Sequence, residues 1–410
     1  MPEILPYVYL TYMFISLYML SFFLLIYIRN RKTFFKYPHP EKQYTISFLV
    51  PAFNESATLR DTIEHILNTG YKNILEIIII NDKSSDDTLK IAKELEIKYS
   101  IVKVLDNPEN LGKAGSLNRG LAIAQGELVS VVDADSYPAQ GSIDKMIGFF
   151  NDPKVGAVTC PVVVRNRKKF FEKLQAIEYK VIAFSRKLLD YVDSIYVTPG
   201  PLAIYRKKAL YEINGFDTQN LTEDIEATWN LTAKGWERRM SLATEVSSTV
   251  PDKLKAWFVQ RRRWNIGGLQ CIYKHRKALT KKGMLGWFII PFFILNTFLG
   301  LLGLSIFFYL LTTRIISNYL LTKYSINAQT PVIVLNDFYI TPSILNYLGI
   351  ILFVLGFAFT IITLIILKEK IIKKENILNI PFYMTVYLIL YPFIMLNAIW
   401  HLIKGKRIWR

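Results

Sequence analysis

The chain has 410 residues and a formal net charge of +17, and 51% of its residues are hydrophobic. The apolar residues fall into a few blocks, which indicates membrane-spanning segments more than one large soluble core. No zinc-finger spacing or RNP-type motif accompanies the basic charge, so no nucleic-acid partner is expected, and the two cysteines and four scattered histidines argue against a disulfide framework and a zinc enzyme.

The first predicted element is an uncharged apolar run over residues 7–28, which is long enough to span a bilayer. Arg29, Arg31 and Lys32 follow it directly. Because basic residues favour the cytoplasmic side, the N-terminus is expected outside and the next region inside. We therefore expect a multi-pass protein of the cell membrane with three parts: an N-terminal transmembrane helix (1–29), a cytoplasmic domain with amphipathic interfacial helices (30–283) and a C-terminal transmembrane region (284–410).

The second region alternates short apolar runs with amphipathic stretches, a pattern that predicts an α/β domain with a mostly parallel, doubly wound sheet. The predicted strands cover residues 44–53, 76–81, 101–105, 127–133 and 156–164, and the predicted helices cover 57–68, 87–99, 113–125 and 142–150. Ligands of such sheets bind at the carboxyl ends of the strands. Chemistry is therefore expected directly after each strand.

Polar residues do follow the first three strands. Phe53, Asn54 and Glu55 come after the first strand and Asp82 after the second, where an acidic side chain can bond a base or a ribose. Lys113 begins the helix after the third strand, at a position that suits a phosphate. The alternatives are ordinary turns and helix caps, with an exposed lysine.

The fourth strand ends in Asp133-Ala134-Asp135. Two carboxylates at this place can share a hard divalent cation whose other ligands are diphosphate oxygens. Such a cation would screen the charge that develops on a departing nucleotide diphosphate. This pair is the candidate metal site.

Two further motifs lie downstream. Asp224, in Thr222-Glu223-Asp224, is a candidate general base for a sugar hydroxyl, although Thr222 followed by two acids also suits a helix N-terminus. In the motif that begins at Gln260, Arg263 suits a phosphate and Trp264 offers an apolar face to a sugar ring.

A helix with apolar residues every three or four positions is expected over 174–192, packed either on the sheet or in the membrane interface. Three apolar blocks follow, over about 285–312, 343–367 and 379–402. If all three cross the bilayer, the C-terminus is outside, whereas the basic residues in 404–410 favour the cytoplasm. An interfacial or re-entrant block would reconcile the two.

The order of these motifs resembles the family 2 inverting glycosyltransferases, specifically the membrane-integrated synthases of hyaluronan, chitin oligosaccharides, poly-N-acetylglucosamine and cellulose. The resemblance covers roughly residues 44–270 and includes a Gly-Pro-Leu-x-x-Tyr-Arg segment that begins at Gly200. It implies a GT-A-type α/β domain, inversion to a β-linked product, Mg²⁺ or Mn²⁺, and a UDP-sugar donor of the UDP-N-acetylglucosamine kind.

The resemblance also implies a role for each motif residue. Asp224 would be the catalytic base, and Asp135 and Asp133 would hold the metal. The donor nucleotide would be bound by Phe53, Asn54, Glu55, Asp82, Lys113, Asp133, Gln260 and Arg263, and the acceptor by Gly200, Glu223 and Trp264.

Three functions fit these features. The Gln-x-x-Arg-Trp motif favours a processive enzyme that extends a growing polysaccharide among membrane lipids and exports it between its last spans. The nearer alternative is a single addition to a lipid acceptor, such as a polyprenyl phosphate or diacylglycerol. A membrane receptor whose α/β domain only senses nucleotides would leave Asp224 and Trp264 without a role.

Overall fold

The computed structural model describes residues 5–329, 344–368 and 378–405, so residues 406–410 of the basic tail lie outside it. The helices are α1 (Leu5–Asn30), α2 (Leu59–Leu67), α3 (Thr88–Lys98), α4 (Gly112–Ile123), α5 (Asp144–Ile147), α6 (Phe170–Asp190), α7 (Lys207–Glu212), α8 (Glu223–Ala233), α9 (Leu254–His275), α10 (Leu285–Asn327), α11 (Ile344–Ile366) and α12 (Asn379–Ile403). The strands are β1 (Ile46–Ala52), β2 (Ile74–Asn81), β3 (Val102–Asp106), β4 (Leu128–Val131), β5 (Ser136–Pro138), β6 (Val155–Thr159), β7 (Val162–Val164), β8 (Ala203–Arg206), β9 (Glu237–Met240) and β10 (Val246–Ser248).

Seven strands form the central sheet in the order β3-β2-β1-β4-β8-β6-β9. All neighbours pair in parallel except β8, which runs antiparallel to both β4 and β6. Successive residues of β1 are buried on opposite faces: Phe48 and Val50 pack in one core and Leu49 in the other. Helices cover both faces, as in other parallel sheets. The predicted α/β class with a mostly parallel sheet is confirmed.

Two predicted elements differ from the structure. The strand predicted over 156–164 is interrupted after Thr159, because Pro161 has no N–H to donate to a ladder. Its second part, β7, instead joins a separate three-stranded sheet in the order β5-β10-β7. The helix predicted over 142–150 is reduced to the short α5 and a 3-10 turn at Gly148–Asn151.

Three helices are long and apolar enough to cross a membrane: Pro6–Asn30, Leu285–Asn327 and Asn379–Ile403. The apolar helix α11 contains a shorter stretch of this kind, Ile350–Ile366. The helices α6 and α9 both contact these apolar helices: α6 packs on α1 and α11, and α9 packs on α10 and α12. Residues near the end of α6, among them Phe184, pack in one cluster with Ile26 of α1 and Phe359 of α11. The apolar face of α6 thus meets the membrane helices.

Candidate active site

A cavity of about 470 Å³ lies where the residues after β4 and the first turn of α8 converge with α6 and α9. Parallel strands place their carboxyl ends at one edge of a sheet, so motifs far apart in sequence meet there. Nine of the predicted site residues line this cavity: Lys113, Asp133, Asp135, Gly200, Glu223, Asp224, Gln260, Arg263 and Trp264. Phe53, Asn54, Glu55 and Asp82 follow the neighbouring strand ends, outside the lining.

Lys113 forms ion pairs with two of the carboxylates that line the cavity. Its Nζ lies 2.6 Å from Asp133 Oδ1 and 2.9 Å from Glu223 Oε1. Burial alone would lower the pKa of Lys113, but these two carboxylates hold that pKa above its usual range. A Cβ on Gly200 would lie 2.4 Å from Lys113 Nζ and 2.8 Å from Asp133 Oδ1. Glycine at position 200 therefore leaves room for this ion pair.

Asp224 lies in the first turn of α8 beside the buried Glu223. Its Oδ1 accepts a 2.8 Å hydrogen bond from the backbone N–H of Ile225. Burial, and after it the charge of Glu223, raise the pKa of Asp224 to about 6. The pKa of Glu223 is instead lowered, because Lys113 and Arg263 outweigh its burial. The pKa values of two neighbouring carboxyl groups are thus shifted in opposite directions, which is the pattern of an acid–base site.

The alternative that this motif begins a helix is confirmed, because Thr222 is the N-cap residue of α8 and Glu223 and Asp224 lie in its first turn. The Thr222 side chain accepts no capping hydrogen bond from the helix. Its hydroxyl instead donates to Asn220 Oδ1, at 3.2 Å. A Cβ on Gly267 of α9 would lie 2.0 Å from Thr222 Oγ1, so the two motif-bearing helices are in close contact here. That contact sets the distance between Asp224 and the residues of α9.

Asp133 and Asp135 form a crowded acidic group with Glu55. Burial, and after it the charges of Asp133 and Glu55, raise the pKa of Asp135 to about 7. Hard oxygen ligands of this kind suit a divalent cation, whose charge would relieve the repulsion. Within the described residues, no group of three or more His, Cys, Asp or Glu side chains is placed to hold a metal alone. A cation here therefore needs further ligands from a substrate, as a diphosphate would provide.

The motif on α9 divides into cavity and core residues. Gln260, Arg263 and Trp264 line the cavity, whereas Arg261 is fully buried behind it. Arg261 Nε and Nη2 donate to Glu178 at 3.0 and 2.5 Å, and its guanidinium lies 4.0 Å from the centre of the Trp264 ring. This contact fixes the plane of the indole at the cavity wall.

The remaining predicted donor residues form a polar loop system beside the cavity. Asn54 has a left-handed backbone, with φ of 57°, and its side chain accepts a 2.8 Å hydrogen bond from the N–H of Ser85. Asp82 is buried, and its Oδ1 accepts 2.8 Å bonds from Asn107 and from the N–H of Leu111. Phe53 remains 38% exposed. The loop after β2 is therefore rigid, and Phe53 is accessible to a ligand.

The sequence reasoning did not assign several cavity residues, among them the polar side chains of Tyr179 and Arg186 on α6, and of Tyr196 beyond it. Tyr179 and Arg186 are seven positions apart and so lie on one face of the helix. The seven-residue spacing was a signal in the sequence that could have identified this face. Both residues lie outside the motifs, however, and the apolar repeat that predicted α6 lies on the opposite face of the helix. The cavity is thus closed by an element that carries no recognisable motif.

Comparisons with known proteins agree with this geometry. The family model described as glycosyltransferase like family 2 matches residues 42–267. A poly-β-1,6-N-acetyl-D-glucosamine synthase of Staphylococcus epidermidis is 29% identical over 387 residues, which are 92% of this chain and 88% of that protein. A synthase of the same name from Staphylococcus aureus (strain COL) is 32% identical over 249 residues, 60% of each chain.

A solved structure shares the fold. The mannosyltransferase PcManGT from Pyrobaculum calidifontis, solved in complex with GDP-Man and Mn²⁺, has a TM-score of 0.59 at 16% identity. The alignment covers 97% of this chain and 99% of that one. The expected GT-A fold with accompanying apolar helices is therefore confirmed.

Proposed function

The chain belongs to glycosyltransferase family 2, and on this premise we propose that it polymerises N-acetylglucosamine from UDP-N-acetylglucosamine into a β-linked polysaccharide at the membrane. One observation carries the proposal: a single cavity joins Asp224, the strand-end acids and the Gln260–Trp264 motif. The relative from Staphylococcus epidermidis, similar along nearly the whole chain, suggests the sugar.

The transfer follows from the groups in the cavity. The acceptor hydroxyl oxygen attacks the anomeric carbon from the side opposite the UDP, the bond to the diphosphate breaks, and the configuration inverts. Asp224 accepts the hydroxyl proton; with a pKa of about 6 it is mostly ionised near neutral pH and still basic. Lys113, Gln260 and Arg263 offer their hydrogen-bond donors to the diphosphate oxygens.

The acidic pair would hold Mg²⁺ or Mn²⁺. Asp133 and Asp135 would be the protein ligands, and the ion would stabilise the charge of the departing diphosphate. Glu55 adds negative charge beside the pair, and Lys113 forms a direct ion pair with Asp133. The acidic side chains of the proposed donor site are thus in place before a nucleotide binds.

Retention of the polymer is the role we assign to Trp264. The cavity continues past Trp264 to Phe293 and Thr297 of α10 and to Tyr391 and Met395 of α12. A flat indole holds a sugar face while still allowing it to slide. The acceptor side of the cavity thus leads towards the membrane helices, and a polymer leaving the base would pass between α10 and α12.

The catalytic domain faces the cytoplasm in this proposal, and α12 lies flat on it instead of crossing the bilayer. Contacts to the domain run along the whole of α12. Phe382 packs on Phe170 of α6, Tyr387 on Trp257 of α9, and Ala398 clusters with Ile266 of α9. A helix that crossed ~30 Å of hydrocarbon would leave a cytoplasmic domain after its first turns.

The charges of α9 argue against the opposite explanation, in which α6 and α9 enter the bilayer. Arg261, Arg262 and Arg263 on α9 would be costly in hydrocarbon. The other face of α12 exposes apolar side chains such as Ile389, Leu396 and Trp400, as expected of a helix half immersed in the interface.

With α12 in the interface, the count of spans agrees with the charges. Crossings by α1, α10 and α11 carry an external N-terminus to a cytoplasmic C-terminus, where the positive-inside rule places the basic tail. A cysteine in place of Gly405 should react with a membrane-impermeant maleimide only after permeabilisation, whereas one in place of Gln329 should react in intact cells. Labelling of the Gly405→Cys protein in intact cells would show that α12 spans.

The direct test is incubation of the purified enzyme in detergent with radiolabelled UDP-N-acetylglucosamine, followed by product sizing. A ladder of β-linked oligomers supports the proposal, and Asp224→Asn provides the inactive control. Release of lipid that carries a single sugar, with no longer products, would establish the single-addition alternative instead. Binding of the nucleotide with no transfer at all would favour a nucleotide sensor.

A further inference from the structure

Arg186 is a buried arginine for which the described part of the chain provides no hydrogen-bond or ion-pair partner. It projects from α6, is 5% exposed and lines the cavity. Its Nε has no hydrogen-bond partner among the described residues, and the structure gives this side chain no ion pair in the same part of the chain. Buried guanidinium groups normally have their donors satisfied. The missing partner is therefore expected to be a bound molecule.

Two other buried arginines among the described residues differ from Arg186, because each donates hydrogen bonds to the protein, although Arg238 Nε is also without a partner. Arg261 forms a paired contact with Glu178. Arg238 is 3% exposed, and it donates to the carbonyl oxygens of Trp236 and Asp193 at 2.8 and 2.6 Å. Arg186 differs because its surroundings are the cavity and the aromatic side chains of Tyr179 and Tyr196. Burial lowers the pKa of Arg186, yet arginine remains charged in proteins.

The position of Arg186 points to the acceptor end of the cavity. Arg186 lines the same cavity as Asp224, the proposed base, but it belongs to α6, whereas the proposed diphosphate donors Lys113, Gln260 and Arg263 belong to α4 and α9. A cation on this separate wall of the cavity is suited to the molecule whose hydroxyl is deprotonated.

The charge balance of the cavity favours a neutral ligand. Three cations (Lys113, Arg186 and Arg263) and four carboxylates (Asp133, Asp135, Glu223 and Asp224) line it. A donor diphosphate and its proposed divalent cation together add little net charge. An acceptor with its own phosphate would therefore find no excess of positive charge in the cavity to offset its own. Oxygen atoms of a neutral sugar can accept the same hydrogen bonds without adding charge.

We propose that Arg186 binds the acceptor sugar, donating hydrogen bonds to its hydroxyl and acetamido oxygen atoms and so orienting the attacking hydroxyl towards Asp224. Arg186 is thus a specificity-determining residue of the acceptor site. The inference rests on the proposed function, because it takes N-acetylglucosamine at the end of the polymer as the ligand.

The test measures acceptor and donor kinetics separately, with short β-1,6-linked N-acetylglucosamine oligosaccharides and UDP-N-acetylglucosamine. In Arg186→Met, loss of charge-assisted hydrogen bonds should raise the KM for the oligosaccharide by about 10- to 100-fold. The KM for the donor, measured at saturating oligosaccharide, should change much less. Arg186→Lys keeps the charge without the planar fork, so its acceptor KM should lie between the two.

Arg238→Met is the matched control, since it removes a buried arginine that bonds only backbone carbonyls. It should lower the melting temperature and leave the acceptor KM unchanged. An unchanged acceptor KM in Arg186→Met, or an equal rise in donor and acceptor KM, would overturn the role of Arg186. If Arg186→Met does not fold, an unchanged acceptor KM in Arg186→Lys decides against it.

The wild-type arm separates this inference from the proposed function. A wild-type enzyme that extends the oligosaccharides establishes the function, whatever the Arg186 variants do. A wild-type enzyme that ignores them and modifies polyprenyl phosphate overturns the function and, with it, the neutral acceptor at Arg186.

Discussion

Two clusters of buried charge lie on either side of α9, and they differ in how completely the protein satisfies them. The Glu178 cluster is closed: the carboxylate accepts two hydrogen bonds from Arg261 and one each from the hydroxyls of Tyr387 and Tyr391. The Lys113 cluster is open: Asp133 and Glu223 pair with Lys113, while Asp224 and Asp135 retain raised pKa values. A closed cluster holds helices together, and an open one keeps charge available for a substrate.

The largest expected effect is the dependence of the open cluster on a divalent cation. Removal of divalent ions with EDTA should abolish transfer, a loss of several kcal/mol of transition-state stabilisation. Added Mg²⁺ or Mn²⁺ should restore activity to the wild-type enzyme but not to Asp135→Ala. Both proteins should melt at similar temperatures. Full activity in EDTA would remove the metal from the proposal.

Asp224→Asn tests the base within the open cluster. The amide keeps the shape of the carboxyl group but cannot accept the proton, so kcat should fall by about 10²–10⁴. Binding of UDP-N-acetylglucosamine, measured by calorimetry, should change little. Wild-type turnover in this variant would transfer the role of base to another carboxylate.

Glu178→Gln tests the closed cluster and should act on stability first. It leaves the buried Arg261 without its counter-ion, which typically costs about 3–5 kcal/mol. The exposed pair Lys42–Glu127 supplies the control, since Glu127→Gln should cost less than about 1 kcal/mol. Thermal unfolding in detergent compares the two. Equal melting temperatures would mean that the Glu178 cluster does not hold α6, α9 and α12 together.

Trp264 lies at the border of the two clusters, because its ring contacts Arg261 and also lines the cavity. Trp264→Ala tests its role there. Loss of stacking should shorten the product while single transfers continue, and the weakening per aromatic contact is about 0.5–1.5 kcal/mol. Gel sizing of products at equal UDP release measures the effect. Full-length polymer from Trp264→Ala would limit the indole to a packing role.

The smallest expected effect is the pH dependence. Asp224 must be ionised to accept a proton, and its raised pKa of about 6 lies within the accessible range. Transfer should therefore be nearly constant above pH 7 and fall about tenfold for each unit below pH 6. The profile is recorded at saturating donor and cation. A flat profile down to pH 5 would show that the bound-state pKa is lower.

The strand-end motifs were predictable from the sequence because the chemistry follows each strand directly in the chain. Asp133, Asp135, Lys113 and Asp224 all reach the cavity, although the roles assigned to them remain predictions. Arg186 and the Glu178–Arg261 pair were not predictable. Glu178 and Arg261 are 83 residues apart in the chain, and neither spacing nor composition encodes such a contact.

The apolar helices show a different limit. Composition marks α12 as a span, because hydropathy measures how apolar a helix is and not what covers it. Its contacts with α6 and α9 appear only once the chain is folded. The conflict between the count of spans and the basic tail was the one sequence signal that favoured the interfacial position proposed for α12.

The closed cluster also orders the steps of biosynthesis. Glu178 and Arg261 leave the ribosome early, but the hydroxyls of Tyr387 and Tyr391 that complete their hydrogen bonds emerge almost at the end of translation. The hydrogen bonds of the Glu178 cluster, which hold α9, are therefore complete only after the chain of α10 and α11 has been synthesised. A nascent chain released before Tyr387 would lack two of the four hydrogen bonds to Glu178.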